Sequence, residues 1–193
     1  MRGRPLTFQT DDIIEKTKKV FAEKGYHATS LDDLLKATDM GSGSFYNTFK
    51  GGKKELFRKV LAQRRIAFQQ FKTELEKSDN PLELIKNFFR NLASAGLDSH
   101  MQGCLVANTV TEMTFLDKEL EAEAVSILKD VEKVYTKVIK DAQAQHQIKN
   151  QTDPALLGMY LITLWNGINV TSRMYPDPDI LSRQIEMQLE ILS

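Results

Sequence analysis

The sequence predicts an all-α protein of two modules with about nine helices, and three observations carry that expectation. Apolar residues recur every three to four positions along most of the chain, and no alternating stretch marks a strand. All five prolines stand where such periodic segments begin or end. Charge is unevenly divided: residues 1–65 hold 14 basic and 8 acidic side chains, a net of +6, whereas the remainder holds 12 and 18, a net of −6. The neutral total, 26 of each sign, therefore combines a first module suited to a polyanion with a second that is not.

The elements follow in order. Residues 10–24 carry Ile13, Ile14, Thr17, Val20 and Phe21 on one helical face, with Thr10 as the expected cap and Asp11 and Asp12 at the positive helix end. Gly25 stops this helix. Thr29 or Ser30 then caps a short helix presenting Leu31, Leu34 and Leu35. After the turn "DMGS", residues 43–49 make about two turns with Phe45 and Phe49 on one side, while Ser42, Ser44, Asn47 and Thr48 point elsewhere. "KGG" breaks the pattern, which resumes over 53–77. Further helices are expected over 81–97, 101–115, 118–146, 154–175 and 178–192.

Several function classes are disfavoured. Cys104 is the one cysteine, so neither an internal disulfide nor a cysteine-based zinc site is expected, and a reducing compartment fits best. No apolar run reaches membrane-spanning length and "MRGRPLTFQT" lacks a secretory core, so the expectation is a cytoplasmic protein with no membrane partner. His27, His100 and His146 are scattered, and no glycine-rich phosphate loop follows a strand. We expect no catalytic residue, no metal and no cofactor. An enzyme is thus disfavoured; a helical adaptor or small-ligand carrier without specific DNA binding is the alternative to a DNA binder.

Two short helices joined by a tight turn, the second polar outside, suit insertion of one helix into a major groove. Small side chains allow close approach, and hydroxyl and amide groups can bond phosphates or base edges. The stretch "IIEKTKKVFAEKGYHATSLDDLLKATDMGSGSFYNTFKGGKKELFRKVL" resembles the N-terminal DNA-binding domain of the tetracycline-repressor (TetR) family. The resemblance rests on Phe21, Gly25 and Tyr26, Thr29 and Ser30, Gly43 before Ser44, Phe45 and Tyr46, then Phe49, Leu56 and Phe57. Departures are Asp39 where glycine is usual, Ser42 where a basic residue is common, Asn47 and Thr48 where a ring-bearing pair often stands, and one additional residue in "KGGKKELF".

The resemblance implies a three-helix helix-turn-helix DNA-binding domain over residues 1–52 and a helical ligand-binding and dimerisation domain over 53–193. It implies that Thr29 and Ser30 lie near phosphate and that Ser42, Ser44, Tyr46, Asn47 and Thr48 lie on or beside the recognition helix. It also implies that Lys53 binds DNA backbone. Phe45 and Phe49 read equally as core, and Tyr46 as packing or phosphate contact. Arg2 and Arg4, in "RGRP", suit the narrow minor groove of A·T-rich DNA as an extended arm, or form a solvated tail.

In residues 154–175 apolar side chains cover more than one stripe, so this helix is buried on more than one side. With the last helix it would form, by resemblance, a four-helix homodimer interface across a two-fold axis. A repressor on a palindromic, double-stranded operator, released by a small-molecule effector, is the implied function. The expected effector pocket comprises Phe88, Leu92, Cys104, Asn108, Thr111, Met113, Tyr135, Trp165, Asn166 and Asn169. Cys104 reads either as a thiol that senses electrophiles or oxidants or as an inert buried side chain.

Overall fold

The computed structural model of the chain describes residues 6–94 and 103–193, with backbone alone for 6–9. Among the described residues there are nine α-helices and no strand, as the apolar periodicity predicts. They are α1 (Leu6–Ala28), α2 (Leu31–Thr38), α3 (Ser42–Thr48), α4 (Gly52–Lys77), α5 (Pro81–Ala93), α6 (Leu105–Met113), α7 (Lys118–Ala144), α8 (Pro154–Met174) and α9 (Pro178–Leu189). A single 3-10 turn, Glu190–Leu192, follows α9. The described residues divide into two compact units, one running to Ile66 and including Leu105–Val125, the other taking Ala67–Cys104 and Ser126–Ser193.

In the first unit α1 packs against α2 and α6. It starts at Leu6, so Thr10 lies inside the helix instead of capping it. Residues 6–9 contain no glycine or proline to oppose helix formation, which explains the earlier start. Gly25, at φ 78° and ψ 171°, leaves the helical path where the sequence indicates a stop. Ile13, Ile14, Thr17 and Phe21 are buried as their spacing requires, and the Thr17 hydroxyl donates to the Ile13 carbonyl at 2.8 Å. The Phe21 ring meets Phe57 of α4 edge-to-face at 4.8 Å.

α2 is closed at its start by a reciprocal cap. Ser30 Oγ accepts from the Asp33 N–H at 3.1 Å, and the Asp33 carboxylate accepts from the Ser30 N–H at 2.9 Å. It ends at Asp39, whose left-handed backbone (φ 54°, ψ 38°) shows why glycine would be favoured there. Gly52, the first residue of α4, has a left-handed backbone at φ 62°. Its N–H donates to the Phe49 carbonyl at 2.8 Å, closing the turn after α3.

In the second unit α5, α8 and α9 each begin with an Asn or Asp cap followed by proline: Asn80–Pro81, Asp153–Pro154 and Asp177–Pro178. Proline fits there because the first helical N–H has no intrahelical partner to lose. The core gathers Ile85 and Phe89 of α5, Ile139 of α7, Leu157 and Leu161 of α8, and Ile185 and Leu189 of α9. Arg90 of α5 adds a charged tie to Glu186 of α9 at 2.6 Å. Gly158 allows α8 to lie close to α7: a β-carbon there would stand 2.4 Å from Thr136 Oγ1 and 3.3 Å from the Glu132 carbonyl oxygen.

Candidate nucleic-acid interface

α3 is a seven-residue helix with two distinct sides. Phe45 and, just past the last turn, Phe49 are wholly buried, with ring centroids 5.4 Å apart. Ser42, Gly43, Ser44 and Asn47 are exposed, and Tyr46 is 50% exposed while its ring packs edge-on against Phe45 at 5.5 Å. Tyr46 thus both packs and presents its outer edge. Thr48 is half-buried, and its hydroxyl donates to the Ser44 carbonyl at 2.9 Å. The outward side therefore offers hydroxyls, one amide and a phenol, and Gly43 has open space where a side chain would stand. Such a surface can approach a groove floor closely and bond base edges. Lys50, exposed directly after α3, has no ion-pair partner among the described residues; sequence reasoning passed over it although the charge was visible.

The flanking candidates are placed differently. Thr29 is fully buried and its hydroxyl donates to the Gly25 carbonyl at 2.6 Å, so that group closes the turn. Ser30 is exposed, with its hydroxyl engaged in the α2 cap. Lys53 is half-buried and its ammonium donates to the carbonyls of Tyr26 and Thr29 at 2.9 and 2.8 Å. Burial pulls the Lys53 amine below its ordinary pKa, with the Glu112 charge opposing that shift. Arg2 and Arg4 lie outside the described residues.

Much of the positive charge of this unit is already paired. Lys54 contacts Asp117 and Glu119, each at 2.8 Å, and Arg58 contacts Glu119 at 2.9 Å and Glu123 at 2.7 Å. Lys24 meets Asp33, and Lys36 meets Asp32 at 2.7 Å. The acidic partners of Lys54 and Arg58 are more than sixty residues away in sequence, a pairing that helical periodicity does not encode.

The ten pocket candidates divide between the units. Asn108 and Thr111 are exposed and Met113 is buried on α6, in the first unit. Phe88, Leu92, Cys104, Tyr135, Trp165, Asn166 and Asn169 belong to the second. There Phe88 lies 5.1 Å from Trp165 and 5.3 Å from Phe71, ring centre to ring centre. The Asn169 amide donates to the Trp165 carbonyl at 2.7 Å. Asn166 Oδ1 is buried without a hydrogen-bond partner among the described residues. Tyr135 is buried, which pushes its phenol pKa up, with the neighbouring Cys104 as a second cause. Cys104 itself is half-buried. A hollow of about 200 Å³ between α8 and α9 is lined by Tyr160, Thr163, Gly167, Ile168, Gln184 and Gln188, among others, and includes none of the ten.

α8 buries Leu157, Leu161, Leu164 and Ile168 yet keeps Leu156, Met159, Val170 and Met174 exposed, and α9 exposes Ile180 and Met187. No helix among the described residues is long and apolar enough to cross a membrane.

Two family models match the chain. "Bacterial regulatory proteins, tetR family" covers residues 13–60, and "Tetracyclin repressor-like, C-terminal domain" covers residues 81–187. The transcriptional repressor DhaR of Mycobacterium sp. (strain GP1) is 28% identical over 93% of this chain and 90% of its own. The transcriptional regulator AcuR of Cereibacter sphaeroides is also 28% identical, over 93% of this chain and 85% of its own. The reduced form of Escherichia coli NemR shares the fold at a TM-score of 0.83 and 18% identity, covering 96% of this chain and 97% of that one. With the C-terminal family model alone spanning more than half of its length, and a helix-turn-helix before it, the chain belongs to the TetR family of DNA-binding transcription regulators.

Proposed function

We propose that the chain is a cytoplasmic repressor that grips a palindromic, double-stranded operator as a homodimer and releases it when a small-molecule effector binds. The observation carrying this reading is α3, whose polar residues face outward above the buried Phe45 and Phe49. Ser42, Ser44, Tyr46, Asn47 and Thr48 supply groove contacts, Ser30 and Lys50 lie toward the phosphates, and Arg2 and Arg4 form a minor-groove arm. One short helix makes too few contacts for useful specificity, whereas two half-sites about one DNA turn apart combine their energies. The exposed apolar residues of α8 and α9 support dimerisation through those helices. DNA binding belongs to residues 1–52 and effector binding with dimerisation to 53–193. The effector occupies a pocket built around Phe88 and Trp165, and shifts the population by its differential affinity for the two spacings of the heads.

The test is binding to a duplex enriched by the chain from a random-sequence library, followed across a salt series. Affinity should fall steeply as salt rises, through counterion release. Asn47→Ala should weaken binding about tenfold with the fold intact, and Val170→Glu should yield a monomer by sedimentation with a matching loss of affinity. A chain that enriches no duplex at any salt would instead be an adaptor or ligand carrier.

A further inference from the structure

The first unit contains an anion seat that is filled from within the chain. At the end of α1 two successive N–H groups, those of Tyr26 and His27, donate to the Glu112 carboxylate of α6 at 2.9 and 2.6 Å. Backbone N–H groups that converge in this way favour an anion. The carboxylate lies tight against Gly25: a β-carbon there would stand 3.1 Å from Glu112 Oε2 and 3.2 Å from Oε1, so a side chain would make the carboxylate shift by a few tenths of an ångström. Lys53 of α4 holds the same turn by its opposite polarity, through the carbonyls of Tyr26 and Thr29 and with its ammonium 4.5 Å from the centre of the Tyr26 ring. Both the N–H and the C=O groups of this turn are thus held by side chains from two other helices. The turn leads directly into Ser30, the cap of α2.

We propose that Glu112 and Lys53 are positioning residues for DNA binding, which hold the α1–α2 turn in the shape that presents α2 and α3 and do not themselves touch DNA. The inference rests on the DNA-binding reading above, and it takes Lys53 out of the set expected at the phosphates. It has a consequence that separates it from direct contact. A lysine on a phosphate releases counterions, so its removal lowers the salt slope by about one unit. A lysine that only shapes a turn changes affinity and leaves the slope alone.

The experiment uses the full chain and the duplex that the wild type enriches from a random-sequence library. Binding is measured across a salt series for wild type, Glu112→Gln, Lys53→Met and the double variant, together with amide hydrogen exchange at Tyr26 and His27. Each single variant should bind about tenfold more weakly, as expected for losing a charge-assisted bond, with the wild-type salt slope. In Glu112→Gln the Tyr26 and His27 amides should exchange faster while those of α8 do not change. The double variant should lose less than the product of the single losses, because both act through one turn. A Lys53→Met slope lower by about one unit overturns the inference, as does unchanged affinity in Glu112→Gln despite faster exchange at the two amides. Should Glu112→Gln fail to fold, the Lys53→Met affinity and slope decide. A wild type that enriches no duplex sinks the DNA-binding reading itself, a result distinct from duplex binding that ignores both substitutions.

Discussion

α3 and α8 use their surfaces in opposite ways. α3 has seven residues, rests on two buried phenylalanines, and turns polar groups outward. α8 has 21 residues and is apolar on its exposed side as well as its buried one. A helix as short as α3 cannot hold itself together in water, so its place depends on tertiary packing at Phe45 and Phe49. Its outward residues carry little structural duty and are available for a partner. α8 is anchored along its length by Leu157, Leu161, Leu164 and Ile168, and its outer apolar stripe is the part that its own unit leaves uncovered. The contrast teaches that the same helical periodicity separates a surface suited to a polar partner from one suited to burial.

The largest expected effect tests the anchor. Phe45→Ala should cost about 3–5 kcal/mol in a denaturant titration, because it removes a wholly buried ring and leaves a cavity. A loss below about 1 kcal/mol would mean that α3 is held by something else. Next, Gly158→Val tests the close approach of α8 to α7: with Thr136 Oγ1 already 2.4 Å from where a β-carbon would stand, thermal unfolding should show a loss of about 1–3 kcal/mol. An unchanged melting temperature would show that these two helices separate easily.

Smaller effects sharpen the picture of the helix-turn-helix. Asp39→Gly should stabilise by about 0.5–1 kcal/mol, since glycine adopts the left-handed backbone at φ 54° without strain. Equal denaturant midpoints would show that the strain is already offset. The smallest effect is one of pH. Lys24 first, then the Ser30 N–H and hydroxyl, hold the Asp33 carboxyl below the ordinary carboxylate range. A lowered folded-state pKa means that the contribution is complete above about pH 4 and is lost progressively as the solution is acidified below that value. The stability gap between wild type and Asp33→Asn should therefore close on acidification. A gap that stays constant between neutral pH and about pH 3 would contradict it.

Much of the candidate site was legible because it depends on short-range spacing. Phe45 and Phe49 stand four residues apart, so one side of α3 had to be apolar, and Ser44 and Asn47 had to lie off it. Ser42, three residues before Phe45, shares that side by spacing and is exposed at the first position of the helix. Gly25 was legible as a helix end because a lone glycine opposes continuation there. The role of Thr29 was not: its hydroxyl bonds the Gly25 carbonyl four residues back, and nothing in its residue type distinguishes that from a phosphate contact. Glu112 was missed altogether, since the amides that it accepts from are 86 and 85 residues away and its own helix reads as an ordinary apolar segment.

The order of the helices and their buried stripes were settled by the sequence itself, because period, proline and glycine act over a few positions, whereas Thr10, the cap expected for α1, lies inside that helix. Tertiary structure alone decided which polar groups are engaged by the protein's own backbone and which remain for a partner. Lys53 and Lys50 are both lysines beside one short helix, yet one ammonium is tied to two carbonyls and the other stands exposed without an ion pair among the described residues. The physical reason is that a hydrogen bond requires about 3 Å between two particular atoms, and distances between remote segments exist only once the chain has folded.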